Sequence, residues 1–325
     1  MKRLLKLAMP LLPLGLRHAV NDFAATQRRA EARRRKERTR FSLADVGRAL
    51  DQLPFSADLI VHSSMSNIGK LADGTAPDLA REIFSRIDLA RYTLLAPALP
   101  FNSLMKDYLD QCAGFDVRTA TNAMGAIANI VMRQPDCLRS VHPSHSTLAL
   151  GAKAAHYVEG HERDATPFGP HSPFRKLTEN RGQILMFGVG LNSVTCFHVY
   201  EDLLGTALPF EVYQAKRYEV PCTDRDGAAL RVRTSCHCPF LTARRECERT
   251  RPYLERAGHI RTVPIGESEI SLLDARGLTT TLLEMLLAGD SIYGPVSLSQ
   301  PQTTVIKSCL SQLNAGQGLD LHPRR

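Results

Sequence analysis

The chain has no apolar run long enough to cross a bilayer, no small-x-small cleavage site after its N-terminal apolar stretch, and no Cys-x-x-Cys pair among its eight cysteines. Each absence excludes a class. A spanning helix needs about 20 consecutive apolar residues, so the N-terminal apolar run is expected to be too short to span a bilayer. The basic, apolar start from Met1 to Leu16 resembles a leader, but Pro10 and Pro13 interrupt it and argue against one. The cysteines are scattered over positions 112, 137, 196, 222, 236, 238, 247 and 309. That pattern fits reduced thiols in a cytoplasmic protein better than a disulfide framework. Cys236-His237-Cys238 lacks the spacing of a zinc knuckle and has no second pair, so no metal is expected. No internal repeat is visible.

What is present is enough apolar sequence for a self-sufficient core: 325 residues, of which 43% are hydrophobic. Leu59-Ile60-Val61, the run from Thr93 to Pro97 and the run from Gln183 to Val189 are short, apolar and ended by Gly, Pro or Ser, as buried strands are. Between them Leu79, Ile83, Phe84 and Ile87, and later Leu278, Leu282, Leu283 and Leu286, recur at helical spacing. The segment from Thr147 to Val158 also reads as helix. Tyr213 to Ser235 alternates in strand fashion about an Asp226-Gly227 turn, which predicts a hairpin. The chain is therefore α/β, divided into a basic, helical extension over residues 1–40 and a catalytic domain over 41–325.

The net charge of +8 is concentrated in the run from Arg28 to Arg40. Such a run can attract a phosphate-rich partner or an anionic membrane surface, and it can equally be a solvated helix packed on its own domain or on a second copy of the chain. No nucleic-acid partner is expected.

Three constellations carry candidate chemistry. After the first strand, His62-Ser63-Ser64-Met65-Ser66-Asn67-Ile68-Gly69 presents hydroxyls and backbone N–H groups suited to a phosphate or a carbonyl oxygen, although a helix-capping loop would look the same. Arg139-Ser140-Val141-His142-Pro143-Ser144-His145-Ser146 is an ordered loop, extended before Pro143, that could aim two imidazoles at a cleft. Gly188-Val189-Gly190 closes a strand, and a helix then begins near Ser193 or Thr195, so His198 and Glu201 stand at i and i+3. A carboxylate holding one imidazole nitrogen fixes the tautomer and leaves the other nitrogen as a general base. A surface histidine beside a glutamate is the commoner outcome of that spacing. Gly188-x-Gly190 lacks the third glycine of a dinucleotide fingerprint, Ser193 standing in its place, and Cys196 is read as packing rather than as a nucleophile.

Taken in order, the serine-rich loop, the His-Pro-x-x-Ser segment, Thr166-Pro167-Phe168-Gly169-Pro170-His171-Ser172-Pro173-Phe174, Gly188-Val189-Gly190 and His198-x-x-Glu201 resemble the aminoglycoside 3-N-acetyltransferase family over roughly Ser42 to Leu287. The resemblance implies a layered α/β sandwich unrelated to the GNAT acetyltransferases, with acetyl-CoA as co-substrate. It implies His198 and Glu201 as the catalytic pair, a coenzyme site lined by Ser63, Ser64, Ser66, Gly69, His142 and Ser146, and an oxyanion donor near Ser64. The stretch from Thr119 to Gly125 departs from the family's usual pattern, so the wall there is expected to differ.

These readings give an N-acetyltransferase expected to act on the amine of an amino sugar. Because the chain is basic and carries an arginine-rich arm, the first expectation is an acceptor from surface-polysaccharide or lipopolysaccharide biosynthesis, nucleotide-linked or lipid-linked, with peripheral contact at the inner face of the membrane. An aminoglycoside antibiotic is the alternative acceptor. A non-catalytic binding protein recruited by its basic arm is the alternative of another class.

Overall fold

The computed structural model describes residues 11–316. Twelve strands follow in chain order: β1 (Arg40–Phe41), β2 (Leu59–Ser63), β3 (Lys70–Leu71), β4 (Thr93–Pro97), β5 (Phe115–Asp116), β6 (Leu138–Arg139), β7 (Thr147–Gly151), β8 (Gln183–Phe187), β9 (Tyr213–Thr223), β10 (Ala229–His237), β11 (Ile260–Ile265) and β12 (Ser268–Asp274). Seven form the central sheet, in the order β11-β12-β8-β2-β4-β7-β6. Its middle is parallel, β8 to β2 to β4, and both flanks run antiparallel.

The middle strands are mostly apolar, with polar residues only at their ends, because both of their faces are covered. Ile60, Leu95, Ile184 and Met186 enter one core, under the helices Pro173–Glu179, Val199–Leu204, Ala275–Leu287 and Gln300–Ala315. Their neighbours Leu59, Val61, Leu94, Leu185 and Phe187 enter the opposite core, under Leu43–Leu50, Ala76–Phe84 and Ala126–Met132. This is a three-layer α/β sandwich. Two of the covering helices start at reciprocal caps, Ser42 with Asp45 and Thr75 with Asp78, each satisfying N–H groups that the first turn leaves open. A second, three-stranded sheet, β10-β9-β5, encloses a small core of its own.

The hairpin falls where the sequence placed it: β9 pairs antiparallel with β10, and Gly227 occupies the left-handed region at φ +88 in the turn. The helix expected from Thr147 is a correction. Thr147 to Gly151 is strand β7, paired with β4, and helix follows only over Ala154–Val158. A five-residue apolar run carries no period, and the partner strand decided its state.

The basic extension forms a helix over Leu14–Arg38, and its last turn is tied to the body through Glu267, which accepts from Thr39 Oγ1 at 2.5 Å and from Arg38 Nη2 at 3.2 Å. The portion of the expected membrane patch at Met1 to Pro10 lies outside the described residues. Among the described residues no helix is long and apolar enough to cross a membrane.

Candidate active site

The parallel strands β2 and β8 end side by side, and the loops that leave them interlock. Ser64 N–H donates to Phe187 O at 2.8 Å, and Asn67 Nδ2 donates to Gly188 O at 3.0 Å. Gly188 is at φ +68, and a Cβ there would stand 2.6 Å from Ser64 O. Only glycine lets the two loops approach this closely.

Beside this junction lies a cavity of about 600 Å³, walled by Ser63, Ser64, Ser66, Val189, Ser193 and the stretch Ala123-Met124-Gly125, with Arg29 of the N-terminal helix at its edge. Three of the six residues expected at a coenzyme site therefore share one cavity, and the wall expected to differ, near Met124, is part of it. The other three lie elsewhere. Gly69 packs on Thr39, whose carbonyl a Cβ would meet at 2.6 Å. Ser146 Oγ donates to Ala98 O at 2.7 Å and accepts from Arg139 Nε at 2.9 Å. His142 is fully buried, accepting from His145 N–H at 3.0 Å, bonded to Thr234 Oγ1 at 3.2 Å and stacked on His161 at 4.5 Å between ring centroids. The two imidazoles expected to face a cleft are buried instead, His142 against Thr234 of β10 and His145 against Phe168.

Of the N–H and hydroxyl groups expected as oxyanion donors near Ser64, the Ser64 N–H is occupied by Phe187 O, while the hydroxyls of Ser64 and Ser66, 3.2 Å apart and bonded to each other, lie on the cavity wall. His62 adds a group that the motif was not read for. It lines the cavity, it is buried, and its Nε2 has no hydrogen-bond partner among the described residues. Burial pushes its pKa down to about 4, so the ring is neutral.

Beyond Gly188 the chain makes two short turns, Leu191–Ser193 and Thr195–His198, before the helix Val199–Leu204. The helix starts later than expected, so His198 is its N-cap and Glu201 sits in its first turn. The expected contact forms: His198 Nδ1 and Glu201 Oε2 are 2.8 Å apart. It is buried, not a surface pair, with 7% and 0% of the two side chains exposed.

Glu201 is the hub. Oε2 also meets His237 Nε2 at 3.2 Å, and Oε1 accepts from the Tyr293 hydroxyl at 2.5 Å. Burial opposes its ionisation, but the attraction and hydrogen bonds of His198 and His237 outweigh this and hold the carboxyl well below its usual range. Burial, reinforced by His237 and Arg245 and opposed by Glu201, lowers His198 to about 4. The imidazole is thus neutral near pH 7. With Nδ1–H directed to the carboxylate, Nε2 keeps its lone pair, which is the tautomer a general base requires. That nitrogen accepts from the Arg245 guanidinium, and Phe168 packs over the ring at 5.1 Å.

His237, Tyr293 and Arg245 were not read as site residues from the sequence. His237 was seen only as the centre of Cys236-His237-Cys238. Cys196, as expected, is packing: it is buried, and burial raises its thiol to about 12. Burial likewise raises Cys236 to about 12, leaving it protonated at neutral pH. His198, Glu201 and His237 each bring one donor atom within 4.8 Å of the others, and they are the single grouping of that kind among the described residues. Their donor atoms already meet one another as a hydrogen-bonded charge network.

The chain is 30% identical over 183 residues to the aminoglycoside N(3)-acetyltransferase IX of Micromonospora chalcea, an alignment covering 52% of this chain and 62% of that protein. The chain thus spans about three fifths of that relative's length. Among solved structures, AAC-VIa bound to sisomicin is 27% identical with a TM-score of 0.59, covering 77% of this chain and 98% of that one. AAC-IIIb in binary complex with CoASH shares the fold at 23% identity and a TM-score of 0.57, covering 74% and 94%. The sequence profile described as aminoglycoside 3-N-acetyltransferase matches residues 60–287, more than half of the chain and every strand from β2 to β12. The chain belongs to the aminoglycoside 3-N-acetyltransferase family.

Proposed function

We propose that this chain is an acetyl-CoA-dependent N-acetyltransferase that acetylates the amine of an amino-sugar acceptor by direct attack, with His198 as general base. The observation that carries the proposal is the buried His198–Glu201 contact at 2.8 Å, with Nδ1 held by the carboxylate and Nε2 left as the basic atom. As the amine nitrogen attacks the thioester carbonyl, its proton passes to His198 Nε2 and the CoA thiolate leaves. Glu201 holds the ring and stabilises the imidazolium that forms, while Tyr293 and His237 keep Glu201 ionised and in place. The hydroxyls of Ser64 and Ser66 support the developing oxyanion from the cavity wall. Coenzyme is assigned to the cavity of Ser63, Ser64 and Ser66, with His62 Nε2 as a further polar contact.

The relatives are named for aminoglycosides, so that acceptor class takes precedence over the surface-polysaccharide setting, for which no relative speaks. No metal enters this scheme.

The test is release of free thiol from acetyl-CoA across a panel of aminoglycosides, simple amino sugars and nucleotide-linked amino sugars. Turnover with at least one of these amines, yielding its N-acetyl product, is expected. Coenzyme binding without turnover on any amine would contradict the proposal.

A further inference from the structure

The helix Leu14–Arg38 lies outside residues 60–287, the part of the chain that matches the family, yet it reaches the cavity assigned to coenzyme. It runs alongside the short helix Met65–Ile68, which follows Ser64 and contains Ser66. The extension therefore lies against the serine-rich loop that walls the cavity. Its C-terminal end is fixed to the body, where Arg38 and Thr39 both donate to Glu267. At 1.5 Å of rise per residue, Arg29 stands roughly 14 Å back along the helix from that anchor, and it lines the cavity's edge.

The cavity wall offers hydroxyls at Ser63, Ser64, Ser66 and Ser193 and an uncharged imidazole at His62. Arg29 is the one cation among the described residues that line it. Coenzyme A carries a diphosphate and a ribose 3′-phosphate, all ionised at neutral pH, and a guanidinium meets phosphate oxygens with two parallel N–H bonds. Arg33, one turn further along the helix, is paired with Glu37 at 3.0 Å, whereas Arg29 has no carboxylate partner among the described residues. Glu31 also borders the cavity. It stands two residues on, roughly 200° round the helix from Arg29, so its charge steers a phosphate towards the arginine's side.

We propose that Arg29 is a coenzyme-binding residue, supplied by the N-terminal helix, that pairs with a phosphate of coenzyme A at the mouth of the cavity. The inference rests on the assignment of coenzyme to this cavity and not on the general-base role of His198. The uncharged arm of the coenzyme occupies the hydroxyl-lined interior, and its charged end stays at the rim beneath the helix. The arginine-rich run thereby has a phosphate-bearing partner within the enzyme's own reaction.

The experiment measures binding of coenzyme A and of 3′-dephospho-coenzyme A by calorimetry to the full chain and to its Arg29→Lys, Arg29→Gln and Arg29→Glu variants. Ala123→Trp, on the cavity wall, is the variant that fills the cavity. Arg29 is exposed, so its substitutions leave the core intact. Affinity for coenzyme A is expected to fall by about 5-fold in Arg29→Gln and by about 20-fold or more in Arg29→Glu, and to stay within about twofold in Arg29→Lys. Added salt should weaken binding more steeply in the wild type than in Arg29→Gln. An equal loss with 3′-dephospho-coenzyme A identifies the diphosphate as the partner, and a loss confined to coenzyme A identifies the 3′-phosphate. Ala123→Trp should weaken both ligands by at least about 10-fold. Binding weakened in Ala123→Trp but within about twofold of the wild type in Arg29→Gln and Arg29→Glu overturns the role of Arg29 and keeps the coenzyme in the cavity. Unchanged binding in every variant, Ala123→Trp included, overturns the cavity assignment and the inference with it.

Discussion

Two clusters of buried histidines lie on either side of Phe168, and they differ in one group. His142, His145 and His161 are held by neutral partners: His142 by Thr234 Oγ1, His161 by Ser140 Oγ at 2.9 Å and by Pro167 O at 3.1 Å. His198 and His237 share Glu201. Burial lowers the pKa in both clusters, to about 3 for His161 and about 4 for His198. In the first cluster a ring that gained a proton would meet no carboxylate among these partners, only the Pro167 carbonyl beside His161, which burial outweighs. In the second a carboxylate waits beside the ring, so a proton taken during reaction is met by an opposite charge already in position. What sets the two clusters apart is one buried glutamate, not the histidines themselves.

The comparison can be broken most strongly at the base. His198→Ala is expected to lower kcat by roughly 10² to 10⁴ while leaving coenzyme affinity nearly unchanged, since His198 does not line the cavity. Stopped-flow thiol release and calorimetric coenzyme binding check the two halves. Glu201→Gln should convert the second cluster into a copy of the first. A loss of order 10- to 100-fold in kcat is expected, because the amide cannot stabilise the imidazolium.

A subtler expectation concerns stability in the first cluster. In the unfolded chain His161 takes a proton below pH about 6.5, but in the fold it resists protonation until about 3. The unfolded state therefore binds more protons as pH falls through this window, and the stability present above pH 6.5 is lost towards pH 3, by about 1.4 kcal/mol per pH unit for such a histidine. Denaturant melts between pH 7 and 4.5 should show a shallower loss in His161→Gln than in the wild type. The smallest expected effect is of chelation: dialysis against EDTA should leave turnover unchanged, and a fall restored by zinc would show that His198, Glu201 and His237 hold an ion.

How much of this was legible follows from sequence distance. The middle strands declared themselves because burial on both faces makes their interiors apolar, and His198 meets Glu201 because the two stand at i and i+3 across the start of a helix. His237, Arg245 and Tyr293 reach the same pair from 36, 47 and 92 residues away, through the end of β10, the turn after it and the loop beyond Ala275–Leu287. No local spacing encodes those meetings. The serine-rich loop was readable as a wall, yet its neighbour His62 was passed over because an apolar strand leading into serines draws attention to the serines. The misread at Thr147 to Gly151 has the same origin, since its strand state is fixed by β4 rather than by its own pattern.

The central claim is that His198, held at Nδ1 by Glu201, is the base and the carboxylate-free cluster is not, and single-turnover thiol release compared in His198→Ala and His161→Ala tests it most directly. With acetyl-CoA and an active acceptor saturating, the account predicts that the first variant loses at least about 100-fold in rate and the second stays within about threefold of the wild type. Comparable losses in both, or full activity in His198→Ala, would contradict it.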